Sequence, residues 1–206
     1  MAERKSGIPV ACFCGPSKAA LVETNTGQSF AKDLKKYSAI AGKLNCRSLI
    51  VTSGRPSWGL APQDMHRNMI DNLGVSLNIL EKEDFNLLIE PLNASELSYL
   101  QTSREAFDVC RILNSPRVKV LFDIYHQQFT EGNIINTISA NLNLIGHFHA
   151  ADLPARKVPG SGEINYVNIL KILKSLAYEG YVGLEYIPSE QKEVELRSIV
   201  SLFKEI

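Results

Sequence analysis

Six short apolar runs recur along the chain: IPVACFC (8–14), SLIVTS (48–53), NLLIEPL (86–92), VKVLFDIY (118–125), LIGHFHA (144–150) and YVGLEYI (181–187). They are rich in β-branched and aromatic side chains and nearly continuous in their hydrophobicity, the pattern of strands covered on both faces. Between them the apolar period lengthens to that of a helix. Phe30, Leu34, Tyr37, Ala41 and Leu44 fall at helical spacing, as do Met69, Leu73, Leu77 and Leu80. Ile169, Leu170, Leu173 and Leu176 follow Asn165, a residue type that caps helices. An amphipathic stretch from Val194 to Phe203 closes the chain. Strand alternating with helix predicts βαβ units and a parallel sheet. No linker rich in Pro, Gly or Ser divides the 206 residues, so one domain, 1–206, is expected. An open doubly wound sheet and a (β/α) barrel both fit this order. Glycine-rich nucleotide-binding fingerprints are absent.

Four of the predicted strands end on polar side chains that apolar burial would not select: Glu90, Asp123, His149 and Glu185. They stand 33, 26 and 36 residues apart, and one βαβ repeat takes about 30 residues or more. Each group therefore belongs at the C-terminal end of a successive strand. In a barrel those ends converge on one mouth, where active sites are built. Taken singly, Asp123 equally fits a cap on the next helix, and His149 a hydrogen-bonded core histidine. Taken together, three carboxylates and an imidazole would repel and resist desolvation. A divalent cation removes that conflict. An oxygen-rich set with one nitrogen suits Mn²⁺ or Mg²⁺, with Co²⁺ and Zn²⁺ also accommodated.

Composition narrows the remaining classes. Lys plus Arg equals Asp plus Glu at 22 each, so no net field draws nucleic acid or an anionic membrane. No stretch has the apolar length of a membrane span, and MAERKSG is a poor secretory start. Four cysteines give no disulfide framework, and a cytoplasmic protein with reduced thiols is expected. Cys12 and Cys14 read as apolar strand side chains rather than half of a metal site, because no second pair has matching spacing.

LLIEPLN, FDIYHQQFTEGN, IGHFHAADLPARKVPGSGEINY and GYVGLEYIP, in that order, resemble blocks of the hydroxypyruvate isomerases. These are xylose-isomerase-like TIM barrels related to ketose 3-epimerases and phage-type abasic endonucleases. The resemblance implies an α/β fold: a (β/α) TIM-barrel-like parallel sheet, N-terminally incomplete at about six βα units. It implies one divalent cation held by Glu90, Asp123, His149 and Glu185, with Glu90 and Glu185 also the catalytic acid/base pair. It implies substrate contacts from His126 and Arg156, and more weakly a supporting role for Glu96. His149 stands where hydroxypyruvate isomerases often carry Gln, and is the epimerase-like choice.

The implied activity is isomerisation of hydroxypyruvate to tartronate semialdehyde by glutamate-mediated proton transfer through an enediolate. Arg156, with Lys157 beside it, is available to pair a substrate carboxylate. Three alternatives remain. A ketose or sugar-acid epimerase would use the same scaffold. Abasic-site DNA cleavage would need many more ligands than four histidines permit. A non-catalytic remnant fits the missing units. The partner implied is a small hydroxy-keto acid or sugar, with no nucleic acid or membrane, and an incomplete barrel leaves room for a homo-oligomer. Of the other residues, His147 reads as packed on the face of His149, His66 as surface and Trp58 as packing or wall. GSGE (160–163) reads as a turn, with backbone N–H groups that suit an anion.

Overall fold

The computed structural model describes residues 7–15 and 20–204. The chain divides into two compact units, Met1–Leu121 and Phe122–Ile206. The boundary falls inside a strand, and each unit is a piece of parallel α/β structure.

The first unit holds β1 (Phe13–Cys14), α1 (Gly27–Leu44), β2 (Ser48–Val51), α2 (Pro62–Gly74), α3 (Leu77–Lys82), β3 (Asn86–Ile89), α4 (Ser103–Leu113) and most of β4 (Val118–Asp123). Its strands lie in the order β1-β2-β3-β4. All pairs are parallel, with Phe13 opposite Leu49, Leu49 opposite Leu87, and Leu87 opposite Val118. Ile50, Leu88 and Leu121 form a buried cluster against which Cys12 packs. That contact supports the apolar reading of Cys12. The run 8–14 pairs over only two residues, and Cys14 is exposed. Here the expectation of cover on both faces fails; among the described residues β1 ends the strand order, with β2 as its one strand neighbour.

α1 buries Phe30, Ala31, Leu34 and Ala41 on one stripe, as their spacing requires. It stops at Asn45, which takes the left-handed conformation and returns its N–H to the last turn. The stripe from Met69 to Leu80 divides between α2 and α3. Ser76, fully buried, gives its hydroxyl to the carbonyl of Leu73 at 2.6 Å and so competes with the helical ladder at the break. α4 was not marked by the apolar pattern. A capping box founds it instead: the Thr102 hydroxyl accepts from Glu105 N, while the Glu105 carboxylate accepts from Thr102 N.

The second unit carries the end of β4, α5 (Ile124–Thr130), α6 (Ile134–Asn141), β5 (Ile145–Ala150), α7 (Tyr166–Ser175), β6 (Val182–Leu184) and α8 (Lys192–Lys204). β5 and β6 are parallel, with His149 opposite Gly183. Phe148 centres the core, its ring 5.8 Å from Phe122 and 4.9 Å from Tyr178. The apolar run 118–125 is only partly strand. The Asp123 carboxylate accepts from the N–H groups of Tyr125 and His126 and turns Ile124 and Tyr125 into the first helical turn. β6 is partly exposed along its length, and among the described residues β5 is its only flanking strand.

Candidate active site

Each strand-end residue lies where the spacing placed it. Asp123 is the last residue of β4, and His149 the next to last of β5. Glu185 follows β6 directly. Glu90 follows β3 in the first unit and is buried at 7% exposure, its N–H donating to Val51 O. Asp123, His149 and Glu185 all belong to the second unit.

Asp123 is fully buried, and its two oxygens do different work. Oδ1 caps α5, accepting from Tyr125 N at 2.8 Å and His126 N at 3.2 Å. Oδ2 lies 3.6 Å from Arg156 Nη2 and 3.7 Å from His126 Nε2. The capping reading of this residue is borne out. Asp123, His149 and Glu185 each offer a ligand atom, and these atoms lie within 4.8 Å of one another.

His149 Nδ1 lies 3.1 Å from Glu185 Oε2. Burial acts to raise the pKa of Glu185. The hydrogen bond and charge of His149, the Arg156 guanidinium and the contact with Asp123 outweigh it and hold Glu185 at about 2. Glu185 is therefore a carboxylate throughout the neutral range.

Strand alternation places His147 beside His149, as the sequence predicts. The ring centroids are 5.1 Å apart, edge to face. Burial, and then the charge of His149, lowers His147 to about 4, so it stays neutral at pH 7. His126, 1% exposed, also falls to about 4 through burial and the Arg156 charge, with Glu185 opposing. The two imidazoles of β5 have room because their neighbour on β6 is glycine. A Cβ on Gly183 would come within 3.0 Å of both His147 Nε2 and His149 Cδ2.

Arg156 reaches this cluster from the loop after β5. Its Nη2 donates to Glu185 Oε2 at 2.6 Å and its Nε to the Glu185 carbonyl at 3.2 Å. Its guanidinium carbon lies 5.2 Å from the Tyr125 ring centroid. Lys157 instead directs Nζ toward Ile187 O at 3.5 Å.

The residue that sequence reasoning missed is Asp152, fully buried at the base of this loop. Its Oδ2 accepts from Gly160 N at 2.8 Å and its Oδ1 from Ile164 N at 3.0 Å. Its backbone exchanges hydrogen bonds with that of Lys157, at 2.8 and 3.1 Å. One N–H of the GSGE turn, that of Gly160, and the N–H of Ile164 just after it hold an anion, the chain's own Asp152. Gly162 must lack a side chain, since a Cβ there would fall 1.9 Å from Leu153 O. Asp152→Ala should leave two N–H groups without their acceptor, at a cost of about 2–4 kcal/mol. Urea unfolding checks this, and limited proteolysis within 153–164 should accelerate.

A family model described as a xylose isomerase-like TIM barrel matches residues 2–205. The chain belongs to this family. The expected α/β fold of (β/α)-barrel type is thereby borne out, as is the resemblance to hydroxypyruvate isomerases. The hydroxypyruvate isomerase of Escherichia coli (strain K12) is 36% identical over 166 residues, 79% of this chain and 62% of its own length. The 2-oxo-tetronate isomerase of Pectobacterium atrosepticum is 31% identical over 164 residues, 79% of this chain and 63% of its own. The chain thus spans about three fifths of the length of these curated relatives. Among solved structures, a family 2 AP endonuclease from Brucella melitensis superposes with a TM-score of 0.90 at 25% identity, covering 97% of this chain and 80% of that one. Among the described residues no helix is long and apolar enough to cross a membrane.

Proposed function

We propose that this chain is a metal-dependent isomerase of small hydroxy-keto acids, converting hydroxypyruvate to tartronate semialdehyde. The observation that carries the reading is the convergence of Asp123, His149 and Glu185 within 4.8 Å. Two carboxylates and an imidazole suit Mn²⁺ or Mg²⁺, and Co²⁺ or Zn²⁺ also accept such a set. Glu90 is the proposed fourth ligand, on its place at the end of β3 and on the resemblance carried by LLIEPLN. The bound cation would supply Lewis-acid stabilisation of charge on the substrate oxygens.

The chain's own residues supply the proton transfers. An α-hydroxy carbonyl compound isomerises by losing the proton from the carbon beside the carbonyl. Glu90 and Glu185 are the proposed acid/base pair: one takes that proton, and it is returned to the neighbouring carbon through an enediolate, while the hydroxyl proton passes to the former carbonyl oxygen. Neutral His126 offers a hydrogen bond to a substrate oxygen. Arg156 pairs a substrate carboxylate. Relatives named for hydroxypyruvate and 2-oxo-tetronate isomerisation support an acid substrate. The proposal places the whole chain in one domain, in the cytoplasm, with a small molecule rather than nucleic acid as its partner, and with room for a second copy. The second reading is a ketose or sugar-acid epimerase, favoured by the imidazole at His149.

The test is a turnover assay after chelation and again after Mn²⁺ or Mg²⁺ is restored, with hydroxypyruvate and a panel of ketoses as substrates. The expected result is no turnover without the cation and tartronate semialdehyde with it. A product inverted at one carbon and otherwise unchanged would select the epimerase. A folded, cation-binding chain that turns over nothing would be the non-catalytic remnant.

A further inference from the structure

Arg156 Nη2 stands 2.6 Å from Glu185 Oε2 and 3.6 Å from Asp123 Oδ2, so one guanidinium lies against two of the carboxylates proposed for the cation site. The placement is built into the loop. The backbone at Arg156 is held left-handed at φ 52°, its carbonyl accepts from Ile187 N at 2.7 Å, and the Asp152–Lys157 pairing brackets it. The side chain is only 21% exposed, with the Tyr125 ring beneath it.

We infer that Arg156 is an internal counter-ion that competes with the divalent cation for Asp123 and Glu185, and that cation binding releases it to pair an anionic substrate. This inference rests on the cation-site reading above. The two carboxylates lie close enough to repel, and a guanidinium relieves that repulsion when no cation is bound. A divalent ion claims the same oxygen lone pairs and repels the guanidinium. Once displaced, Arg156 keeps its charge and its fork of donors and lacks a carboxylate. A substrate carboxylate restores one. Cation loading and recognition of an acid substrate are thereby linked through one side chain, and a neutral sugar gains nothing from it.

The test compares the full chain with Arg156→Gln, and with Arg156→Met, which keeps an apolar stem over Tyr125. Mn²⁺ affinity is measured by titration calorimetry on chelator-stripped protein, and melting is followed with and without Mn²⁺. Both variants should bind Mn²⁺ about tenfold more tightly than the parent, while their KM for hydroxypyruvate rises. Their melting temperature should fall below the parent's in chelator and match it at saturating Mn²⁺. A merely structural role would weaken both affinities together. Unchanged or weaker Mn²⁺ binding in the variants, with the parent binding Mn²⁺ normally, overturns the inference and leaves the cation site standing. A parent that binds no divalent cation overturns the site reading and this inference with it.

Discussion

Glu185→Gln is expected to lower kcat by about 10²–10⁴-fold at saturating Mn²⁺, the range attached to loss of a positioned acid or base. The substitution preserves shape and removes one charge. Before the cation binds, it also leaves His149 Nδ1 and Arg156 Nη2 facing a neutral amide in place of the carboxylate they contact at 3.1 and 2.6 Å. Cation affinity should drop as well, so the assay must be run over a full Mn²⁺ titration. Exchange of the substrate's carbon-bound proton with D₂O gives a second readout, because it reports abstraction even when return is slow. Glu90→Gln should behave alike in kcat. Activity that survives either change at saturating cation removes that glutamate from the proposed pair.

The largest expected effect on stability belongs to Phe148→Ala. Phe148 is fully buried between the Phe122 and Tyr178 rings, and truncation would leave a cavity that β4 and β5 cannot close without moving. Changes of this kind cost about 3–5 kcal/mol. Urea unfolding should show the midpoint fall by the corresponding amount. Phe148 also separates His147 from His149 along β5, so slack there should loosen Mn²⁺ binding in the protein that remains folded. Tyr181→Ala, at a 56% exposed position one residue before β6, is the control and should stay within about 0.5 kcal/mol of the parent.

Much of the candidate site was legible because burial penalises particular residue types. An acid at the end of an apolar run needs a reason, and Glu90, Asp123 and Glu185 advertised one. His147 and His149 could be placed on a common face from strand alternation alone. Asp152 carried no such mark. It sits in AADLPARK, among residues that read as loop, and its two acceptor contacts are to backbone at Gly160 and Ile164. Gly183 was equally silent, since a glycine's value depends on what its missing Cβ would meet. β1 and β6 were read as covered on both faces because their apolar runs match those of β2 to β4. Cover is a property of what packs above and below a strand, which the apolar run itself does not record, and β6 is partly exposed.

Local periodicity was enough to order six strands and the main helices, because an apolar stripe or run is written within a few turns of chain. The α2–α3 break falls at Ser76, whose buried hydroxyl donates to Leu73 O. The guanidinium of Arg156 and the carboxylate of Glu185 are 29 residues apart, and nothing between them encodes the contact. The loop after β5 brings the two segments together, with the Arg156 carbonyl accepting from Ile187 N. Which acids and imidazoles this chain carries was settled by sequence; which of them meet the Arg156 guanidinium was settled only by the fold, because charges separated along a chain interact through distance in space and not through spacing in sequence.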